Sequence, residues 1–586
     1  MEMPPSFRSL KPFAQAVVLI TVFTVATRII GFLFRIFLSR VLGAEMLGVY
    51  QIAMSFFMVV FTLVASGLPL AISKEVAKAK ERRQITAANS SVTALPLKAG
   101  ESGGGDIGKI AVAGLVISLI VSTALCGIVL LFNKFVGGIF TDDRCLNILL
   151  ILLPSVIACS VYTALRAVWW GEKKFFLLGA TELLEQIIRV VFFVVLIAVS
   201  FAGIDAAGLA ALSFTIACFV SAAAVIFIFI RLKKPGFLSF RRATSPRTAV
   251  ASPLTAEEVS FYKPLIKTAA PITGMRVLGS IGLPIISIII PFQLVAAGFT
   301  KVQAIAQYGI VIGMTMPLLT IPGTVISAFS TVLVPELSGA HQRKDYAGIN
   351  RQISNALKFT LFITFLILPA FIALGEPIGL FLYNNALSGT YLAETAWVMV
   401  PLAVNQTTNA ILNSLGAEMK AMRNYLLGSV ALFAIVWFAP AFIGANALTV
   451  GLGVCTTVAS FLNLLMIRKL TAEDGFPKDI VRPLRAEHST VSTSAVNNPF
   501  VRAAAKSQTF SLLVAFSAIC IPAVLLGEFL FGIIEHVWPL IISLPIAGAA
   551  SIAVVLLFVQ VFNLVDFSIF IRSKSTKAAK GAAEKV

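Results

Sequence analysis

Thr27 to Gln51 reads TRIIGFLFRIFLSRVLGAEMLGVYQ, an apolar stretch with arginine at 28, 35 and 40. It begins inside a run near 13–42 that is long enough to span a bilayer, which takes about 20 apolar residues. A cleavable signal peptide has a short uncharged core, so this run, with Arg28 and Arg35 inside it, does not read as one. Arg28 lies near the middle of the run. An arginine at that depth costs about 2.5–3.5 kcal/mol on insertion scales, more than packing alone warrants, and it points to an anionic partner. Arg35 lies about two helical turns further on, on the same face.

Outward from this stretch the pattern repeats to the far end of the chain. Hydrophobic residues make up 58% of the sequence, charged residues 12%, and mean hydropathy is +0.94, against about 25% charged in a soluble domain. The fold class is an all-α polytopic membrane protein. Fourteen transmembrane helices are expected, near 13–42, 46–73, 110–133, 145–165, 175–201, 206–230, 262–292, 303–334, 355–383, 392–415, 425–443, 445–467, 508–534 and 540–571.

Basic residues orient them. Of the 46 Lys and Arg, 37 fall in the termini and alternate loops assigned to the inside, whereas Arg40, Lys134, Arg144 and Lys301 fall outside. This satisfies the positive-inside rule and places both termini in the cytoplasm of a multi-pass protein. The net charge of +19 therefore records topology, and a nucleic-acid partner is not needed to explain it.

Three polar inner loops, at 86–107, 232–258 and 470–507, break the apolar pattern, and the last two divide the chain. The expected organisation is an N-terminal lobe at 1–230, a linker at 231–261, a C-terminal lobe at 262–467, a loop at 468–507, a helix pair within 508–571 and a basic tail at 572–586. GVYQIAMSFFMVVFTL (Gly48 to Leu63) can be laid over AQYGIVIGMTMPLLTI (Ala306 to Ile321), with Tyr50 on Tyr308. Two six-helix lobes in parallel repeat carry a pseudo-two-fold axis along the membrane normal, and transporters place substrate at such interfaces near mid-bilayer.

Arg276 lies about as deep in the seventh helix as Arg28 in the first. The two are expected to face a central cavity with Arg35, in helices that can bend at Gly31, Pro271, Gly274 and Pro284. The alternative for each arginine is an internal acid or snorkelling to the surface. In the fifth helix Glu185 and Arg189 form an i,i+4 pair in the favourable order, with Glu182 one turn earlier; they are a structural ion pair or a coupling site. Asn405, Asn409 and Asn413 form a polar stripe that either lines the cavity or bonds a neighbouring helix. The six cysteines have no metal-binding or redox spacing, no metal site is expected, and there is no phosphate-binding loop followed by Lys and Ser or Thr. No residue constellation supports an enzyme.

The opening stretch, followed by SGLPLAISKEVAK (Ser66 to Lys78), resembles the stage V sporulation protein B group of polysaccharide-biosynthesis membrane proteins, in the same superfamily as MurJ-type lipid II flippases and MATE exporters. LLEQIIRV (Leu183 to Val190), AAPITG (Ala269 to Gly274), AAGFTKVQAIAQYGIVIGMTMPL (Ala296 to Leu318) and LVPELS (Leu333 to Ser338) extend the resemblance. It implies a two-lobe alternating-access fold that flips undecaprenyl-pyrophosphate-linked saccharides outward across the bacterial plasma membrane. It further implies that Arg28 and Arg35 serve the central cavity, that helices 508–534 and 540–571 form a groove for the lipid tail, and that the transport unit is a monomer. No cofactor is implied, and coupling to Na+, H+ or the membrane potential stays open. AVWWGEKKF (Ala167 to Phe175) replaces the Gly- and Gln-containing turn of relatives. The rival readings are a cation-coupled multidrug antiporter using Glu182 or Glu185, and a non-transporting scaffold for envelope assembly.

Overall fold

The computed structural model describes residues 12–93, 104–199, 204–232, 256–343, 345–473, 508–535 and 540–561. Most of the three inner loops, the basic tail and the end of the last expected helix lie outside the described residues. Those described are almost all helical, joined by short turns, without a strand among them. Among the described residues eleven helices are long and apolar enough to cross a membrane, with a shorter apolar helix at Ile542–Leu557. The count is below fourteen partly because the first two expected helices run together within Val22–Arg82. The α1 helix, Pro12–Ala65, is continuous except for a kink at Gly43. There φ is +68°, a conformation open to glycine because it has no Cβ.

The chain divides into two compact units, Met1–Gly309 and Ile310–Val586. In the first, α1 is followed by α2 (Gly67–Thr93), α3 (Gly104–Leu131), short α4 (Asn133–Ile139), α5 (Arg144–Gly171), α6 (Phe175–Val199), α7 (Ala206–Leu232), α8 (Ala256–Ser280), α9 (Gly282–Ala296) and α10 (Lys301–Gly309). α5 is central, packing against α1, α2, α3 and α7, and it buries Leu152, Leu153, Val156, Val168 and Trp169. Lipid offers no hydrophobic drive for helices to pair, so close backbone approach and interhelical hydrogen bonds hold them. A Cβ at Gly48 of α1 would overlap the Ile305 carbonyl of α10, and one at Gly309 would overlap that of Ala44. Ser55 on α1 meets Ser287 on α9, Oγ to Oγ, at 2.9 Å, and Thr215 on α7 donates to the Ile151 carbonyl of α5 at 2.8 Å. Such bonds average about 0.6 kcal/mol each. α6 is 25 residues long and strongly apolar, and it is missing from the eleven because Glu182, Glu185 and Arg189 place three charges within one span's length.

The second unit begins with a π-helical segment, Ile310–Thr315, which runs into α11 (Met316–Leu319) and α12 (Ile321–Gln342). Then come α13 (Tyr346–Ala373), α14 (Gly375–Tyr383), α15 (Ala386–Thr395), α16 (Met399–Ser414), α17 (Glu418–Phe438), α18 (Pro440–Ile443), α19 (Asn446–Glu473), α20 (Gln508–Glu535) and α21 (Leu540–Val561). Leu333, Leu337, Leu357, Ile411 and Leu412 centre one core. α20 docks on α13, where Phe516 stacks on Phe365 at 5.3 Å.

Candidate functional site

A cavity of about 650 Å³ opens within the first unit. α1 contributes Thr27, Phe57 and Phe61, α5 contributes Tyr162, Arg166 and Trp170, α6 contributes Glu182, Glu185 and Arg189, and α8 contributes Arg276. The turn joining α5 to α6 helps set α5 and α6 against one another. Lys173 takes a left-handed φ of +62°, Lys174 pairs with Glu172 at 2.8 Å, and Lys80 of α2 donates to the Glu172 carbonyl at 2.8 Å. Of the two tryptophans before this turn, Trp169 is 1% exposed and Trp170 57% exposed. The first anchors α5 and the second lines the cavity.

Two ion pairs lie among the lining residues. Arg166 reaches Glu182 at 3.1 Å, donates to the Leu178 carbonyl at 2.8 Å and lies 4.9 Å over the Tyr162 ring. Arg189 reaches Glu185 at 2.6 Å and lies 4.6 Å over the Phe214 ring of α7. The expected i,i+4 pair is therefore present, and Glu182 turns to Arg166 of α5. Each carboxylate is neutralised by a guanidinium that keeps its charge in any surroundings. Arg276 forms no ion pair with a described residue, so the cavity carries an excess of one positive charge. The side-chain atoms Thr27 Oγ1, Ser66 Oγ, Arg166 Nε and Arg189 Nε are buried around the cavity without a hydrogen-bond partner.

Arg276, Glu182, Glu185 and Arg189 are thus brought together. Arg28 and Arg35 are exposed on α1 and do not line this cavity, although Thr27, next to Arg28, does. Successive helical residues turn by about 100°, so Arg28 and Arg35 share a strip of α1 roughly a quarter-turn from Thr27.

Asn405 and Asn409 belong to the second unit. Asn463 of α19 donates to Asn409 at 2.9 Å and to Thr408 at 3.2 Å, approaches Asn405 at 3.5 Å, and accepts from Asn424 of α17 at 2.9 Å. Asn405 and Asn409 thus both face Asn463 of the neighbouring helix α19. Asn413 is exposed. The residue that sequence reasoning missed is Arg166. The expected helix near 145–165 stops one residue short of it, but α5 continues to Gly171. Tyr162, one turn earlier on the same face, was the available signal.

Residues 13–341 match the polysaccharide biosynthesis protein family, and the chain belongs to that family. Stage V sporulation protein B of Bacillus subtilis (strain 168) is 24% identical over 423 residues, covering 71% of this chain and 76% of the relative. Lipid II flippase MurJ of the same organism is 23% identical over 432 residues, covering 70% and 74%. Among solved structures, an inward closed lipid II flippase MurJ aligns with TM-score 0.59 and 15% identity, covering 95% of this chain and all of that one. An inward-facing multidrug resistance MATE family transporter of the MOP superfamily also aligns with TM-score 0.59, at 16% identity, covering 76% and 94%. The fold is that of these membrane transporters.

Proposed function

We propose that this family member is a flippase that carries a polyprenyl-pyrophosphate-linked saccharide from the inner to the outer leaflet of the bacterial plasma membrane. The observation that carries the reading is Arg276, a cation without an ion-pair partner among the described residues, in an otherwise charge-balanced cavity. Guanidinium meets phosphate oxygens in a fork and stays charged when partly desolvated. Arg28 and Arg35, exposed along one strip of α1, supply further guanidinium groups as the headgroup passes, and α20 with α21 accommodates the lipid tail. The pyrophosphate is anionic, so an inside-negative potential favours its outward movement by about 2.3 kcal/mol per charge per 100 mV. That potential is the proposed driving force, with a monomer as the transport unit and both termini cytoplasmic.

The antiporter reading needs a carboxylate free to bind a cation. Both cavity carboxylates are held by arginine, which favours the flippase. Depleting the protein in its own cell and assaying lipid-linked saccharides by leaflet tests this. Accumulation of one such lipid on the inner leaflet is expected; an unchanged distribution, with altered resistance to cationic drugs, would transfer the assignment to the antiporter.

A further inference from the structure

Resting on the flippase reading, we infer that the cavity of the first unit holds the saccharide of the transported lipid, with Trp170 as its stacking platform and the paired charges of α5 and α6 as its hydrogen-bonding wall. The pairing of those charges is the first ground. With Glu182 against Arg166 at 3.1 Å and Glu185 against Arg189 at 2.6 Å, an anion pressed to this wall meets two carboxylates and a cation meets two guanidinium groups. A neutral polyhydroxyl group meets both favourably, because every hydroxyl can donate to a carboxylate oxygen and accept from an N–H.

Unsatisfied polar atoms give the second ground. Ser66 is 6% exposed and its Oγ has no partner. Thr27 Oγ1 and the Nε atoms of Arg166 and Arg189 are in the same position around the same cavity. Orphaned buried groups are costly, and several around one cavity suit a ligand that brings many small hydroxyl partners.

Aromatic surface is the third. Arg166 covers Tyr162, Arg189 covers Phe214, and Phe57 stacks with Phe61 at 6.0 Å. Trp170, 57% exposed, keeps an open ring on which the C–H face of a sugar can lie. Arg276, on the α8 side of the cavity, is then left for the pyrophosphate, which joins the saccharide to the lipid.

The test uses the full-length protein in lipid nanodiscs and measures affinity for two probes, lipid II and sugar-free undecaprenyl pyrophosphate. Wild type is expected to bind lipid II at least tenfold more tightly than the sugar-free lipid. Trp170→Leu and, separately, Ser66→Ala should lower lipid II affinity toward the sugar-free value and leave sugar-free binding within twofold of wild type. Trp170→Phe, which keeps an aromatic face, should restore most of the difference. Arg276→Ala should weaken both lipids. If wild type binds the two probes equally, or if Trp170→Leu weakens both alike, the saccharide subsite is wrong while the flippase reading stands. If wild type binds neither, the flippase reading fails and takes the subsite with it.

Discussion

Arg189 and Glu185 meet at 2.6 Å with side chains 21% and 18% exposed, whereas the Glu182 side chain that meets Arg166 is 48% exposed. Solvent access separates these two pairs in energy. Exposed pairs contribute about 0.2–1 kcal/mol, but removing one partner of a largely buried pair strands the other charge at a cost of about 3–5 kcal/mol when burial is complete. Glu185→Gln should therefore lower the melting temperature of purified protein more than Glu182→Gln. Adding Arg189→Gln to Glu185→Gln should recover part of the loss. Equal shifts for the two single variants would contradict the difference in burial.

The α1–α10 contact rests on glycine. Gly48→Val places side-chain atoms against the Ile305 backbone and should abolish recovery of folded protein in size-exclusion profiles. Gly127 has open space around its would-be Cβ and lies within α3. Gly127→Ala should be neutral or stabilising by about 0.5–1 kcal/mol, since glycine weakens helix interiors by that amount. Normal folding of Gly48→Val would show that the close approach is not needed.

A charge cluster lies beside the α1 kink. Arg144 binds Glu45 at 2.6 Å and Asp142 at 2.7 Å. Burial raises the Asp142 carboxyl, but the hydrogen bonds and charge of Arg144 outweigh it and hold the group below the usual aspartate value. A depressed carboxylate adds stability above its unfolded value, about 3.9, and that contribution fades as pH falls through the lower folded value. Asp142→Asn should melt below wild type at pH 7, and the gap should narrow as pH approaches 3. A gap constant with pH would rule out this linkage.

Topology rests on the charge asymmetry, since the loops concerned lie outside the described residues. In a cysteine-free background, Ser245→Cys and Thr490→Cys should resist a membrane-impermeant thiol reagent in intact cells and react after permeabilisation. Labelling of either in intact cells would invert the assignment.

Apolar run length made the helices legible in the sequence, because the bilayer fixes how many residues each needs. Breaks inside the runs were harder to see. The kink at Gly43 does not end α1, and Ile310–Thr315 widens into a π turn with only apolar and small residues to signal it. Within α6, the Glu185–Arg189 pair was readable because both partners share one helix. Arg166 and Glu182 lie on different helices, and Asn463 lies three helices beyond the stripe it bonds, so neither relationship has a sequence spacing to reveal it. Depth along a helix was also readable, but azimuth was not. Arg28 and Thr27 lie at nearly the same depth, and only Thr27 faces the cavity of the first unit.

The most direct test of the central claim is headgroup appearance on the outer face of reconstituted vesicles carrying lipid II, with an inside-negative potential imposed. Wild type should translocate the headgroup, faster as the potential grows. Arg276→Lys, which keeps the charge but loses the fork, should retain part of the rate, and Arg276→Ala should lose at least tenfold while inserting normally. If Arg276→Ala flips at the wild-type rate, or the rate is indifferent to the potential, the anionic-headgroup mechanism is wrong.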